Sequence, residues 1–249
     1  MRKNVKQQLA LRVLSTAALM AMVSSIATAA FADTYDLNKG SVTVETKEDG
    51  VTYVTQLDNT QTDGYARNDK NDVLHDYQDK TGVTITSGGE KTSNTITVET
   101  AKDQTTDVTL ENVHIEVNTT DAKSGAIEIK GDGDTNIELN GNNTLASTDA
   151  HAGLEKTDAE CSGTLTITDD KNDNGSEKEE KDKYGYSTGG DTGTLAVVGG
   201  GDGGAGIGGQ GEIESDASNI IITGGNIRAG YTPDGCNYNY HRATGAGIG

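Results

Sequence analysis

Apolar and polar residues alternate in short runs along most of the chain, and each run closes at a turn. Val83-Thr84-Ile85-Thr86 ends at Ser87-Gly88-Gly89, and Thr95-Ile96-Thr97-Val98-Glu99 follows. Val108-Thr109-Leu110, Ile137-Glu138-Leu139, Leu165-Thr166-Ile167 and Ile220-Ile221-Ile222 repeat the pattern. Such alternation predicts half-buried β-strands, with Val, Ile and Leu inward and Thr, Glu, Asn and Lys outward. The first of these four recur at intervals of roughly 25–30 residues. The last interval is near twice that, so it spans either two coils or one coil plus an insertion.

Each of these strands has companions. A bend and a second short strand follow in Leu110-Glu111-Asn112-Val113-His114-Ile115, in Leu139-Asn140-Gly141-Asn142-Asn143-Thr144-Leu145 and in Ile222-Thr223-Gly224-Gly225-Asn226-Ile227. Asn and Gly suit a sharp corner because they tolerate the left-handed backbone. A third element is a phrase of small residues: Gly204-Ala205-Gly206-Ile207-Gly208, repeated at Gly245-Ala246-Gly247-Ile248-Gly249. Weaker echoes stand at Gly125-Ala126-Ile127-Glu128-Ile129 and Ala152-Gly153-Leu154.

Three short strands and three turns, repeated in the same order, predict an all-β fold: a single-stranded parallel β-helix with three strands per coil. A β-sandwich also has many short strands, but does not require one three-part phrase to recur in sequence. The solenoid is the expectation carried forward.

Regular coils are expected over 83–249. Residues 33–82 read as an N-terminal cap or entry region that covers the first sheet edge, with strands at Ser41–Glu45 and Val51–Val54. Two insertions break the rhythm. One, at about 169–193, holds the run Glu177-Lys178-Glu179-Glu180-Lys181-Asp182-Lys183; the other, at about 230–244, holds Thr232-Pro233-Asp234-Gly235. Insertions in a solenoid project from one face, often the binding face. The chain stops at Gly249 inside the phrase and reads as truncated there.

Residues 1–32 read as a secretory signal. Arg2, Lys3, Lys6 and Arg12 precede an Ala-rich apolar stretch, and Ala30-Phe31-Ala32 is a small-x-small cleavage site. The expected destination is outside the cell or on its surface, with no membrane insertion after cleavage. The full chain carries a net charge of −19, and losing those basic residues makes it more negative. Such a surface repels nucleic acid and attracts cations such as Ca²⁺, which favours oxygen ligands. There is no Trp, and the single Phe, Phe31, lies in the signal, so the core must be a thin stack of aliphatics.

The ordered phrases from Val108 to Leu145, with Gly163-Thr164-Leu165-Thr166-Ile167 and the Gly-Ala-Gly-Ile-Gly repeats, resemble the secreted bacterial β-helical carbohydrate-binding-domain proteins, similar in architecture to pectate lyases. The resemblance covers about Val83 to Gly249. It implies a right-handed parallel β-helix, export, and Ca²⁺-assisted binding of an acidic polysaccharide such as polygalacturonate. The charged insertion and the early stop depart from the family pattern.

Candidate sites are few. Asp170-Lys171-Asn172-Asp173-Asn174-Gly175 matches the first half of a calcium loop, with Asp170, Asn172 and Asn174 as oxygen donors. Lys181 stands where a bidentate Glu belongs, so a solvated polar hairpin is the competing reading. Asp132 and Asp134, in Gly131-Asp132-Gly133-Asp134, form a turn that either shares a cation with a neighbouring coil or is only a turn. Tyr184, Tyr186, Tyr231, Tyr238 and Tyr240, with Arg242, cluster in the insertions; tyrosine stacks on sugar faces and hydrogen-bonds through its hydroxyl. The alternative is loops packed on their own rings. Cys161 and Cys236 can pair in an exported protein. For catalysis Arg228 is alone, and His75, His114 and His151 are scattered. The chain therefore reads as a non-catalytic carbohydrate-binding or adhesive surface module. A passive structural segment of a larger surface protein and a polysaccharide lyase are the alternatives.

Overall fold

The computed structural model describes residues 34–57, 73–78, 82–117, 124–172, 176, 178, 180–181, 187–188, 191–211, 216–230 and 245–249. All of them belong to one compact unit, Ala32–Gly249. Among them there is no helix long and apolar enough to cross a membrane.

The chain begins with β1 (Thr34–Asp36), β2 (Val42–Thr46), β3 (Thr52–Leu57) and β4 (Val73–Gln78). The next pass is β5 (Val83–Thr86), β6 (Lys91–Thr92) and β7 (Ile96–Thr100). Then come β8 (Thr105–Glu111), β9 (His114–Glu116) and β10 (Ile127–Lys130), followed by β11 (Asp134–Asn140), β12 (Asn142–Ala146) and β13 (Leu154–Lys156). After β14 (Leu165–Thr168) a hairpin of β15 (Glu180–Lys181) and β16 (Ser187–Thr188) intervenes before β17 (Thr194–Val198) and β18 (Ile207–Gly208). The last strands are β19 (Ile220–Ile222) and β20 (Asn226–Ala229).

Three sheets collect these strands. The first runs β1-β5-β8-β11-β14-β19, the second β6-β9-β12-β17-β20, and the third β4-β3-β2-β7-β10-β13-β18. From β5 onward the chain visits first, second and third in unbroken rotation, apart from the β15–β16 hairpin. Pairing between successive passes is parallel throughout. The fold is therefore all-β with parallel sheets, an arrangement compatible with a solenoid. Parallel pairing already includes β1 and β2, upstream of Val83, while β3 and β4 extend the third sheet antiparallel.

Register stacks like on like. In the third sheet Val42, Ile96, Ile127, Leu154 and Ile207 form one inward column, which a bridge extends to Ile248. The recurring small-residue phrase is thus one site on successive passes. In the first sheet Val83, Val108, Ile137, Ile167 and Ile222 align. The bare sequence interval sets Ile137 beside Leu165, but β14 sits two residues further on, with Thr135 opposite Leu165. A two-residue slip keeps every side chain on its face. β14 pairs directly with β19, so the long last interval is one pass plus an insertion.

The core is aliphatic; Tyr35, at 8% exposure, is the one buried aromatic among the described residues. Corners turn at Asn112 (φ 51°), Gly141 (φ 62°) and Gly225 (φ 81°), as the side chains required. Two expectations about inward residues need correction. Thr46, Thr100, Thr106 and Thr135 are buried, because their hydroxyls bond one another. Thr106 donates to Thr46 at 2.7 Å, and Thr100 lies 2.7 Å from Thr106 and 3.2 Å from Thr135. Lys156 is wholly buried in line with Ile129, Val98 and Val44, its ammonium donating to the Cys161 carbonyl at 3.0 Å.

Candidate functional site

Alternation turns Thr43, Thr97, Glu128 and Glu155 outward in one file on the third sheet, and Glu45, Glu99 and Lys130 in the next. Glu128 and Glu155 are direct partners on adjacent strands. Adjacent strands lie only about 4.8 Å apart, so two carboxylates in register repel unless cations intervene. Lys130 reaches Glu128 at 3.1 Å and Glu160 at 3.7 Å. His151, in the turn before β13, places Nδ1 2.9 Å from Glu155 Oε2. The Ala152 N–H also donates to that oxygen, at 3.1 Å, and Gln210 Nε2 donates to Oε1 at 2.7 Å.

Ligand atoms of Glu128, His151 and Glu155 all lie within 4.8 Å of one another. Glu155 is 3% exposed, because His151 and Gln210 cover it. Burial alone would raise its pKa; the hydrogen bonds from His151 and Gln210, the His151 charge and the Ala152 N–H outweigh it and hold the carboxyl below its ordinary range. The hydrogen bond to Glu155 raises the His151 pKa against burial, helped by the charges of Glu155, Glu128 and Asp149. Burial depresses Lys130, but its bond to Glu128 and the surrounding carboxylates leave it raised. The cluster is a self-neutralised set of acids and bases. One imidazole nitrogen with two carboxylates can also hold a divalent cation. That mixed donor set suits Zn²⁺ or Mn²⁺ better than Ca²⁺, which prefers oxygen throughout.

Further along the same face a groove of about 650 Å³ is lined by Glu45, Glu48, Asp49, Glu99 and Asp132, with Lys47 and Lys102 among them. The face as a whole is acidic.

Of the residues singled out from sequence, Asp132 borders this groove and the other described ones fall elsewhere. Asp132 and Asp134 are exposed and tie to the next pass: Ser162 Oγ donates to Asp132 at 2.7 Å, and the Thr164 N–H to Asp134 at 2.8 Å. Asp170 accepts from Thr168 Oγ1 at 2.7 Å. Asn172 folds back on Ser176, donating to its hydroxyl at 3.0 Å. None of these joins the Glu128–His151–Glu155 cluster. Asn174, Tyr184, Tyr186, Tyr231, Tyr238, Tyr240 and Arg242 lie outside the described residues, as does Cys236. Cys161 is a buried free thiol, and burial pushes its pKa up.

His151, counted among scattered histidines, belongs to a cluster. Aligning Ala126-Ile127-Glu128 with Gly153-Leu154-Glu155 would have revealed the stacked glutamates. Comparison with protein-family models, with curated proteins and with solved structures finds no match for this chain.

Proposed function

We propose that the chain is a non-catalytic extracellular binding or adhesive module, built as a right-handed parallel β-helix with three strands per coil. Its acidic face takes up an anionic polysaccharide through Ca²⁺. The observation that carries this reading is the pair of outward files on the third sheet, where Glu45, Glu99, Glu128 and Glu155 repeat from strand to strand. Each file sets two carboxylates side by side, Glu45 with Glu99 and Glu128 with Glu155, and of these Glu45, Glu99 and Glu128 reach solvent. A divalent cation between protein and sugar carboxylates joins two surfaces that would otherwise repel. The tyrosines of the two insertions supply the sugar-stacking part of the reading.

The test is mobility of the folded chain through gels containing polygalacturonate or a neutral polysaccharide, with Ca²⁺ or with chelator. Calcium-dependent retardation in the acidic gel alone is expected, and the double variant Glu45→Gln with Glu99→Gln should reduce it. Free migration everywhere would favour the passive structural segment. That second reading draws on Asp132 and Asp134, whose carboxylates stitch one pass to the next. Unsaturated product released from polygalacturonate would instead indicate a lyase.

A further inference from the structure

The insertion after β14 is anchored by three buried charged groups. Lys178 Nζ stands 2.7 Å from Asp169 Oδ1, with side-chain exposures of 2% and 7%. Glu138, on β11 in the same sheet, is buried beneath the insertion at 7% exposure. Its two oxygens accept the N–H groups of Lys171 at 2.7 Å and Asp170 at 3.2 Å. The Lys178 N–H donates to the Asp170 carbonyl at 2.8 Å, which fixes the lysine backbone beside its partner. The Gly193 N–H donates to Asp169 Oδ1 at 3.2 Å, and Gly224 packs against the Asp169 backbone.

We propose that Lys178 and Asp169 condense into an intramolecular amide that staples the insertion to the end of β14. The Lys178 nitrogen is held by hydrogen bonding to Oδ1 at 2.7 Å, and a swing out of the carboxylate plane brings its lone pair over Cγ. The ammonium passes one proton to the carboxylate, giving a neutral amine and a carboxylic acid. The amine lone pair attacks Cγ, the negative charge develops on Oδ2, and the protonated Oδ1, beside the Gly193 N–H, becomes the hydroxyl. One proton of the attacking nitrogen passes to the hydroxyl on Cγ. The C–O bond breaks and water leaves. An ammonium and a carboxylate thus become an amide and one water, with no oxidant or cofactor.

Two physical arguments favour the step. A buried ion pair carries a desolvation cost that its own attraction scarcely offsets, and a neutral amide removes both charges. Reactants held by the fold also have effective molarities far above any free concentration.

The experiment is the denatured mass of the folded, purified chain, with peptide mapping. One missing water, about 18 Da, is expected, together with a branched fragment joining Asp169 to Lys178. Lys178→Arg keeps the cation but has no nucleophilic amine, and should show the full mass. A folded wild type at its full sequence mass would overturn the proposal and leave an ion pair. A water lost equally from Lys178→Arg would overturn it too, by placing the dehydration elsewhere.

Discussion

Lys156 and His151 show how single residues depart from the repeat. Lys156 occupies an aliphatic column, yet its ammonium has the Cys161 carbonyl at 3.0 Å and Asp158 at 3.5 Å. Asp158 is partly solvated, so removing the lysine strands one carbonyl and no buried charge. Lys156→Met is therefore expected to change stability by less than about 2 kcal/mol, whereas Lys156→Ala adds a cavity and costs about 2–5 kcal/mol. Urea unfolding of both variants checks this. The His151–Glu155 pair is expected to show in the pH profile. His151 is raised above 6.5, so its contribution is complete below that value and lost as pH climbs through the folded pKa. Glu155 is lowered from 4.5, so its contribution is complete above that value and lost as pH falls through the folded pKa. Both act in full only between 4.5 and 6.5. There His151→Gln should cost about 1.5–3 kcal/mol, with the difference from wild type shrinking on either side.

At the scale of elements, the small-residue phrase lets backbones approach. A Cβ on Gly153 would meet Val197 Cγ2 and lie 2.8 Å from the Val198 carbonyl oxygen. Gly153→Ala must move the second sheet to fit, and should lower stability by about 1–3 kcal/mol in thermal or urea unfolding. Ala on the outward face would show no such loss. This element was legible in sequence because the phrase repeats and its lone aliphatic defines the column from Ile127 to Ile248. Strand positions were legible for the same reason: alternation has a period of two, and the burial of β5, β10 and β14 follows it. Exact register was less so, since a two-residue slip leaves the pattern unchanged; the buried Thr135 hydroxyl, bonded to Thr100, accompanies the pairing actually adopted. The candidate site was hidden for a related reason. Glu128 and Glu155 look like ordinary outward residues until parallel pairing sets them side by side, and His151 joins them through a turn. Lys178 was lost in a charge run noted only as part of an insertion. Its ammonium is taken up by Asp169, itself buried at the end of β14, a pairing that the charge run does not mark.

For the whole molecule, the proposed β-helix would make stability a nearest-neighbour quantity, because each pass would contact only the next. β8, β10 and β11 have strands on both sides and carry side chains such as Leu110, Ile127 and Leu139 at 0% exposure. Among the described strands β19 and β20 are the last of their sheets, and there Ile220, Ile222 and Ile227 are only partly buried and Ile221 is 48% exposed. The same truncation should therefore cost different amounts along one column. Ile137→Ala opens a cavity between two passes, and about 2–5 kcal/mol is expected. Ile222→Ala removes a methyl cluster already facing solvent on one side, and under about 1.5 kcal/mol is expected. Hydrogen exchange should rank the strands the same way, with amides of β8 and β11 exchanging only through global opening and those of β19 and β20 through local fraying. Ile137→Ala should then speed exchange in both neighbouring passes, and Ile222→Ala in the edge strands alone. Equal protection across all passes, or equal costs for the two variants, would mean that the unit unfolds as one block and not pass by pass.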